Sequence, residues 1–110
     1  MLKISVLFLL ACLGCSSHDN ICLSSVQSLP LGDVSVFVGE DKIWTGLLEP
    51  HTVKKISFSP KQDGSIRVVW SDASKKKTEQ SVGYVTPNAN QKHGITILDN
   101  NSLLYDQECR

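Results

Sequence analysis

From residue 33 onward the chain alternates apolar and polar positions with a period of two, in runs too short to be helices. Val34, Val36 and Val38 alternate with Ser35 and Phe37. After a turn over residues 39–42, Ile43, Thr45 and Leu47 are set against Trp44, Gly46 and Leu48. The two runs predict a β-hairpin. A turn over 49–51 leads to a strand over 53–59, with Ile56 and Phe58 on one face and Ser57 and Ser59 on the other. Pro60 and Gly64 bracket the next turn, because proline fixes φ and glycine accepts positive φ. The most amphipathic strand covers 65–71, with Ile66, Val68 and Trp70 opposite Ser65, Arg67 and Ser71.

A turn over 72–76 and a strand over 78–85, which puts Val82 and Tyr84 on one face, precede a long polar loop over 86–94. Ile95 and Ile97 open another strand, residues 99–101 turn, and Leu103, Leu104 and Tyr105 close the sheet. Upstream, Ile21, Cys22, Leu23, Val26 and Leu29 follow an irregular apolar pattern that reads as an edge strand. About seven to eight short strands, with no helical period, predict an all-β antiparallel sandwich, immunoglobulin-like or similar, with a small barrel as the alternative. A Cys…Trp…Cys order is present, but Cys22 and Cys109 sit at the two ends of the domain, unlike the pair inside an antibody domain.

The N-terminus breaks this pattern. Lys3 is followed by an apolar run over 4–13 interrupted only by Ser5, and polarity rises at once from Ser16 through His18 to Asn20. That order is a signal-peptide arrangement rather than a core element. The stretch Leu9-Leu10-Ala11-Cys12-Leu13-Gly14-Cys15-Ser16 resembles the lipobox of bacterial lipoproteins, in which a cysteine is acylated and becomes the first residue after cleavage. The resemblance implies a lipid anchor. Cys12 fits the pattern through Leu9-Leu10-Ala11, whereas Cys15 has Cys12 where the pattern usually has leucine. Cysteine arithmetic favours Cys15, since it leaves Cys22 and Cys109 as an even pair for an oxidising compartment. Ser16 after the anchor implies, by the same resemblance, export to the outer membrane with the domain facing the periplasm. The expected division is a signal peptide over 1–14, a lipidated tether over 15–20 and one domain over 21–110.

Composition narrows the partners. Among 110 residues, 11 Lys+Arg balance 11 Asp+Glu, and loss of Lys3 with the signal leaves 10 against 11. Nucleic-acid binders need a basic excess, so that class is excluded. No run reaches the roughly 20 apolar residues of a stable membrane span. The membrane is a partner only through the anchor.

Candidate chemistry is sparse. A bridge between Cys22 and Cys109 would close nearly the whole domain. His18, His51 and His93 lack metal-type spacing and read as ordinary surface histidines, so no metal or cofactor is expected. No nucleophile elbow or Cys-x-x-Cys is present, and no catalytic residue is assigned. The loop over 86–94 offers Asn88, Asn90, Gln91 and His93 as a recognition surface, with an ordinary crossover as the alternative. Trp44 is a candidate aromatic anchor for a partner, or else a core residue. Lys75, Lys76 and Lys77 form a basic tip, a solvated turn or a contact for acidic lipid or an acidic partner. Lipid-anchored lysozyme inhibitors, sandwich lipoproteins of type VI secretion complexes and exclusion or immunity lipoproteins share this outline. The expected function is therefore protein binding rather than catalysis, by inhibition or immunity, or alternatively by assembly of an envelope complex.

Overall fold

The computed structural model describes residues 18–72 and 74–109. The signal segment and both candidate anchor cysteines, Cys12 and Cys15, lie outside the described residues. Eight strands follow in order: β1 (Asp19–Ser25), β2 (Leu31–Val38), β3 (Asp41–Leu48), β4 (Val53–Phe58), β5 (Gly64–Ser71), β6 (Lys77–Val85), β7 (Lys92–Ile97) and β8 (Leu103–Asp106). They form two four-stranded sheets, β4-β1-β7-β8 and β3-β2-β5-β6, so the all-β sandwich is as expected. Among the described residues no helix is long and apolar enough to cross a membrane.

Alternation places one row of each strand between the sheets. Ile21 and Leu23, Val34 and Val36, Ile66, Val68 and Trp70, and Ile95 and Ile97 meet there, with almost no exposure. Each such aliphatic side chain contributes about 1.5–3 kcal/mol when it leaves water. Trp70, fully buried near the end of β5, directs its indole N–H to Asn101 Oδ1 at 3.2 Å.

The irregular first strand is not an edge. β1 lies between β4, antiparallel, and β7, parallel. An interior strand covered on both faces has no reason to alternate. Ile21 and Leu23 face the core, while Cys22, on the opposite face, is covered by its bridge to Cys109. The strand also starts at Asp19, so the expected tether is shortened and two of its residues are structured. The first two strands belong to opposite sheets, unlike the immunoglobulin constant domain, where they pair.

Bulges in β3 and β6 set which side chains turn inward. In β3, Val36 pairs with Trp44 and Phe37 with Lys42, leaving Ile43 as the extra residue. Beyond that bulge Trp44, Gly46 and Leu48 point inward, Leu48 is fully buried, and Leu47 is 55% exposed. In β6, Ser65 pairs with Tyr84 and Ile66 with Val82, with Gly83 at φ 66° between them. Val82 packs on the core and Val85 is buried, whereas Tyr84 is 53% exposed.

The strand directions define two ends. One end gathers His18, the 39–40 turn, the 59–63 connection, loop 86–91 and the end of β8. Residues 26–30, 49–52, 72, 74–76 and 98–102 gather at the other. We call these the entry end and the far end.

Candidate functional site

At the entry end the chain is clasped as it joins the sheet. His18 N–H donates to Asn90 Oδ1 at 3.1 Å, Asn20 N–H to the Gln91 carbonyl at 3.1 Å, and Gln91 N–H to Asp19 Oδ1 at 3.2 Å. Thr86 N–H closes the loop on Gln91 Oε1 at 2.9 Å. Asn88 and Asn90 hold φ of 64° and 51°, a left-handed conformation that asparagine tolerates better than most residues. Loop 86–91 is thus built as a turn that grips residues 18–20. Its Asn90 and Gln91 groups face the chain's own N-terminal segment.

His93 is not in that loop. Register with β1 puts it on β7, opposite Ile21 and fully buried, which corrects its assignment as a surface recognition residue. The physical reason is pairing. Residues 92–97 add to β1 as a parallel strand, and the inward row of β7 begins at His93, ahead of Ile95 and Ile97. Its Nδ1 lies 2.7 Å from the Tyr105 hydroxyl, and its Nε2 3.3 Å from Asp19 Oδ2. Asp19 is also fully buried, so a carboxylate, an imidazole and a phenol from β1, β7 and β8 satisfy one another inside the sandwich.

This trio has the connectivity of a nucleophile, a base and its orienting acid. Its electrostatics run against that use. Burial, then the nearby Asp106 and Asp19 carboxylates, push the Tyr105 phenol above its ordinary value of 10.0, away from a reactive phenolate. The trio reads as a buried polar staple across sheet β4-β1-β7-β8. Among the described residues, no group of three or more His, Cys, Asp and Glu side chains could hold a metal ion.

Trp44 is half-buried on the inner side of β3, with the Lys54 ammonium 6.0 Å from its ring centroid. It serves the edge of the core rather than standing out as an aromatic anchor. On the outside of the same sheet, β3-β2-β5-β6, Phe37 carries the Arg67 guanidinium at 4.1 Å and Lys42 at 5.6 Å. Arg67 also pairs with Glu79 at 3.4 Å. This cluster was invisible in sequence, because its members come from four strands.

Cys22 and Cys109 are joined, with their Cα atoms 5.3 Å apart. The bridge brings the C-terminal segment over β7 at Gly94. A Cβ there would collide with the Glu108 carbonyl oxygen, so only glycine fits beneath the returning chain.

The far end is tied by Asn101, held at φ 60°. Its Oδ1 accepts Gln27 Nε2–H at 2.7 Å and the Trp70 indole, and its carbonyl accepts Gln80 Nε2–H at 2.9 Å. Its own amide reaches Asp72 Oδ2 at 3.4 Å. Asp72 in turn accepts Ser74 Oγ–H at 2.7 Å and the Lys76 N–H at 2.9 Å. The Ser74 hydroxyl first, then the Lys76 amide, hold its carboxyl below the ordinary 3.8. Sequence marks Asn101 only as a turn residue. Its role depends on partners 21 to 74 positions away.

No family model matches the chain, and no curated protein matches it. Among solved structures, the NMR structure of a protein from Eubacterium rectale superposes with a TM-score of 0.52 at 11% identity, covering 86% of this chain and 89% of that one. At that identity the likeness is one of fold.

Proposed function

We propose that the chain is an exported, lipid-anchored protein-binding module, held at the periplasmic face of the outer membrane through Cys15 and acting by inhibition or immunity rather than catalysis. The Cys22–Cys109 bridge carries the reading. Structural disulfides belong to oxidising compartments. With those two cysteines paired, Cys12 and Cys15 remain as the lipid candidates. From Cys15 to Asp19 the chain can span at most about 14 Å, so the entry end lies close to the bilayer. Several acyl chains on one residue make such an anchor durable where one would be marginal. The alternative is assembly of an envelope complex; an inward-facing Trp44 under Lys54 offers it no aromatic anchor.

Metabolic labelling with an alkyne palmitate, followed by mass spectrometry of the N-terminal peptide, tests the anchor. Label is expected on the wild-type chain and on Cys12→Ser, and absent from Cys15→Ser. Label lost in Cys12→Ser and kept in Cys15→Ser moves the anchor to Cys12, and an unlabelled wild-type chain overturns the reading.

A further inference from the structure

We infer that the clasp on residues 18–20 orients the domain on the membrane: it seats the entry end on the lipid headgroups, through connection 59–63 and loop 86–91, and holds the strands pointing away from the bilayer. This rests on the anchored reading, with Cys15 as the lipid-bearing residue.

The chain leaves the sandwich from an interior strand. β1 lies between β4 and β7; at the entry end β4 runs into connection 59–63, and loop 86–91 feeds β7. The exit therefore lies between two connections and not along an outer edge of the sheet. His18 is held from both sides. Its N–H donates to Asn90 Oδ1 at 3.1 Å, and its Nδ1 lies 3.2 Å from Ser59 Oγ. The next two residues are fixed as well. Asn20 N–H bonds the Gln91 carbonyl, and Asp19 takes the Gln91 N–H on Oδ1 while Oδ2 faces the buried His93. Swivelling the domain about this exit breaks bonds on one side or the other, so the fold sets the direction in which the chain departs.

Reach does the rest. Three residue steps from Cys15 to His18 span at most about 11 Å. The seven residues of β1, at about 3.3 Å each, put the far end roughly 20 Å further away. A tether this short keeps the two connections at high effective concentration against the headgroups, so weak polar contacts suffice. Charge is not what draws this end down. Lys61 and Lys92 stand there among Glu40, Asp41, Asp63 and Glu108, so no basic excess selects anionic lipid. Among the described exposed large apolar side chains only Tyr84 lies toward this end, so the seat stays in the headgroup layer.

The full lipidated chain in phosphatidylcholine vesicles tests this. A fluorescent amino acid is placed singly at Gln62 or Ala89 at the entry end, at Lys55 or Ser81 in the middle of the two outer sheet faces, and at Ser28 or Glu49 at the far end. A nitroxide on the lipid headgroup is the quencher. Quenching is expected at Gln62 and Ala89 alone, and unchanged when part of the lipid is phosphatidylglycerol. A long glycine-serine insertion after Ser17 should abolish it. The double variant S59A/N90G frees His18 from both connections, and its glycine keeps the left-handed φ of position 90; it should spread quenching to Lys55 or Ser81. Retained disulfide and melting temperature check that both variants fold. In the vesicle-bound wild-type chain, quenching at Lys55 or Ser81, at every position alike, at none, or only with phosphatidylglycerol overturns the inference while leaving the anchor standing. So does quenching that neither variant changes. A chain that carries no acyl group or does not bind the vesicles overturns the anchored reading itself.

Discussion

At the scale of single residues, the most consequential feature is a polar trio in an apolar interior. Asp19, His93 and Tyr105 are mutually satisfied, and a buried group without its partner costs roughly 1–3 kcal/mol. Tyr105 also makes stability depend on pH. Its phenol is held above the ordinary 10.0 by burial, then by Asp106 and Asp19, so the folded state binds the phenolic proton more tightly than the unfolded state. That contribution is fully present below about pH 10 and is lost as pH rises through the raised folded value. Tyr105→Phe should cost about 1–3 kcal/mol at neutral pH, by leaving His93 Nδ1 unpaired, yet lose less stability between pH 9.5 and 11.5 than the wild type. Thermal melts across that range check it, and equal alkaline slopes for the two proteins would rule it out.

At the scale of elements, bulges and one interior strand decide how the sheets meet. Gly83 has φ 66°, and a Cβ there would lie 2.6 Å from the Tyr105 ring, so the β6 bulge and β8 approach each other only because the residue is glycine. Gly83→Ala combines left-handed strain with overpacking and should destabilise the domain by about 2–4 kcal/mol. Urea denaturation measures it, and a loss below about 0.5 kcal/mol would mean the contact relaxes at no cost. The shared face expected for Val82 and Tyr84 of β6 fails for one reason. A bulge adds a residue to one strand, so a strict period of two carries the wrong parity past it. β1 escaped for another reason, since an interior strand covered on both sides shows no alternation to read.

At the scale of the whole molecule, the Cys22–Cys109 bridge spans 87 positions and ties both ends of the domain to the outer side of one sheet. Closing a loop of that length is worth about 4–5 kcal/mol in the chain-entropy model. The Cys22→Ser, Cys109→Ser double variant should lose a large part of this in guanidinium denaturation, with the greatest rise in amide exchange over 92–109. Unchanged stability would show that the strands alone hold those segments. The same bridge keeps the C-terminus beside the strand through which the chain enters.

What the amino-acid order determined by itself was local: strand period, the hairpin β2–β3 and the even cysteine pair; Gly64, read as a turn glycine, instead opens β5 without a positive φ. These depend on residues a few positions apart, or on counting. Asn88, Asn90 and Gln91 were legible as a polar turn, but their use in gripping residues 18–20 was not, because that contact joins positions about 70 apart. Tertiary structure alone decided that β1 lies inside a sheet and runs parallel to β7, that His93 is buried against Asp19 and Tyr105, and that Trp44 turns inward. Each of those outcomes is set by which strands become neighbours, and strand pairing is a property of the packed chain that no local pattern encodes.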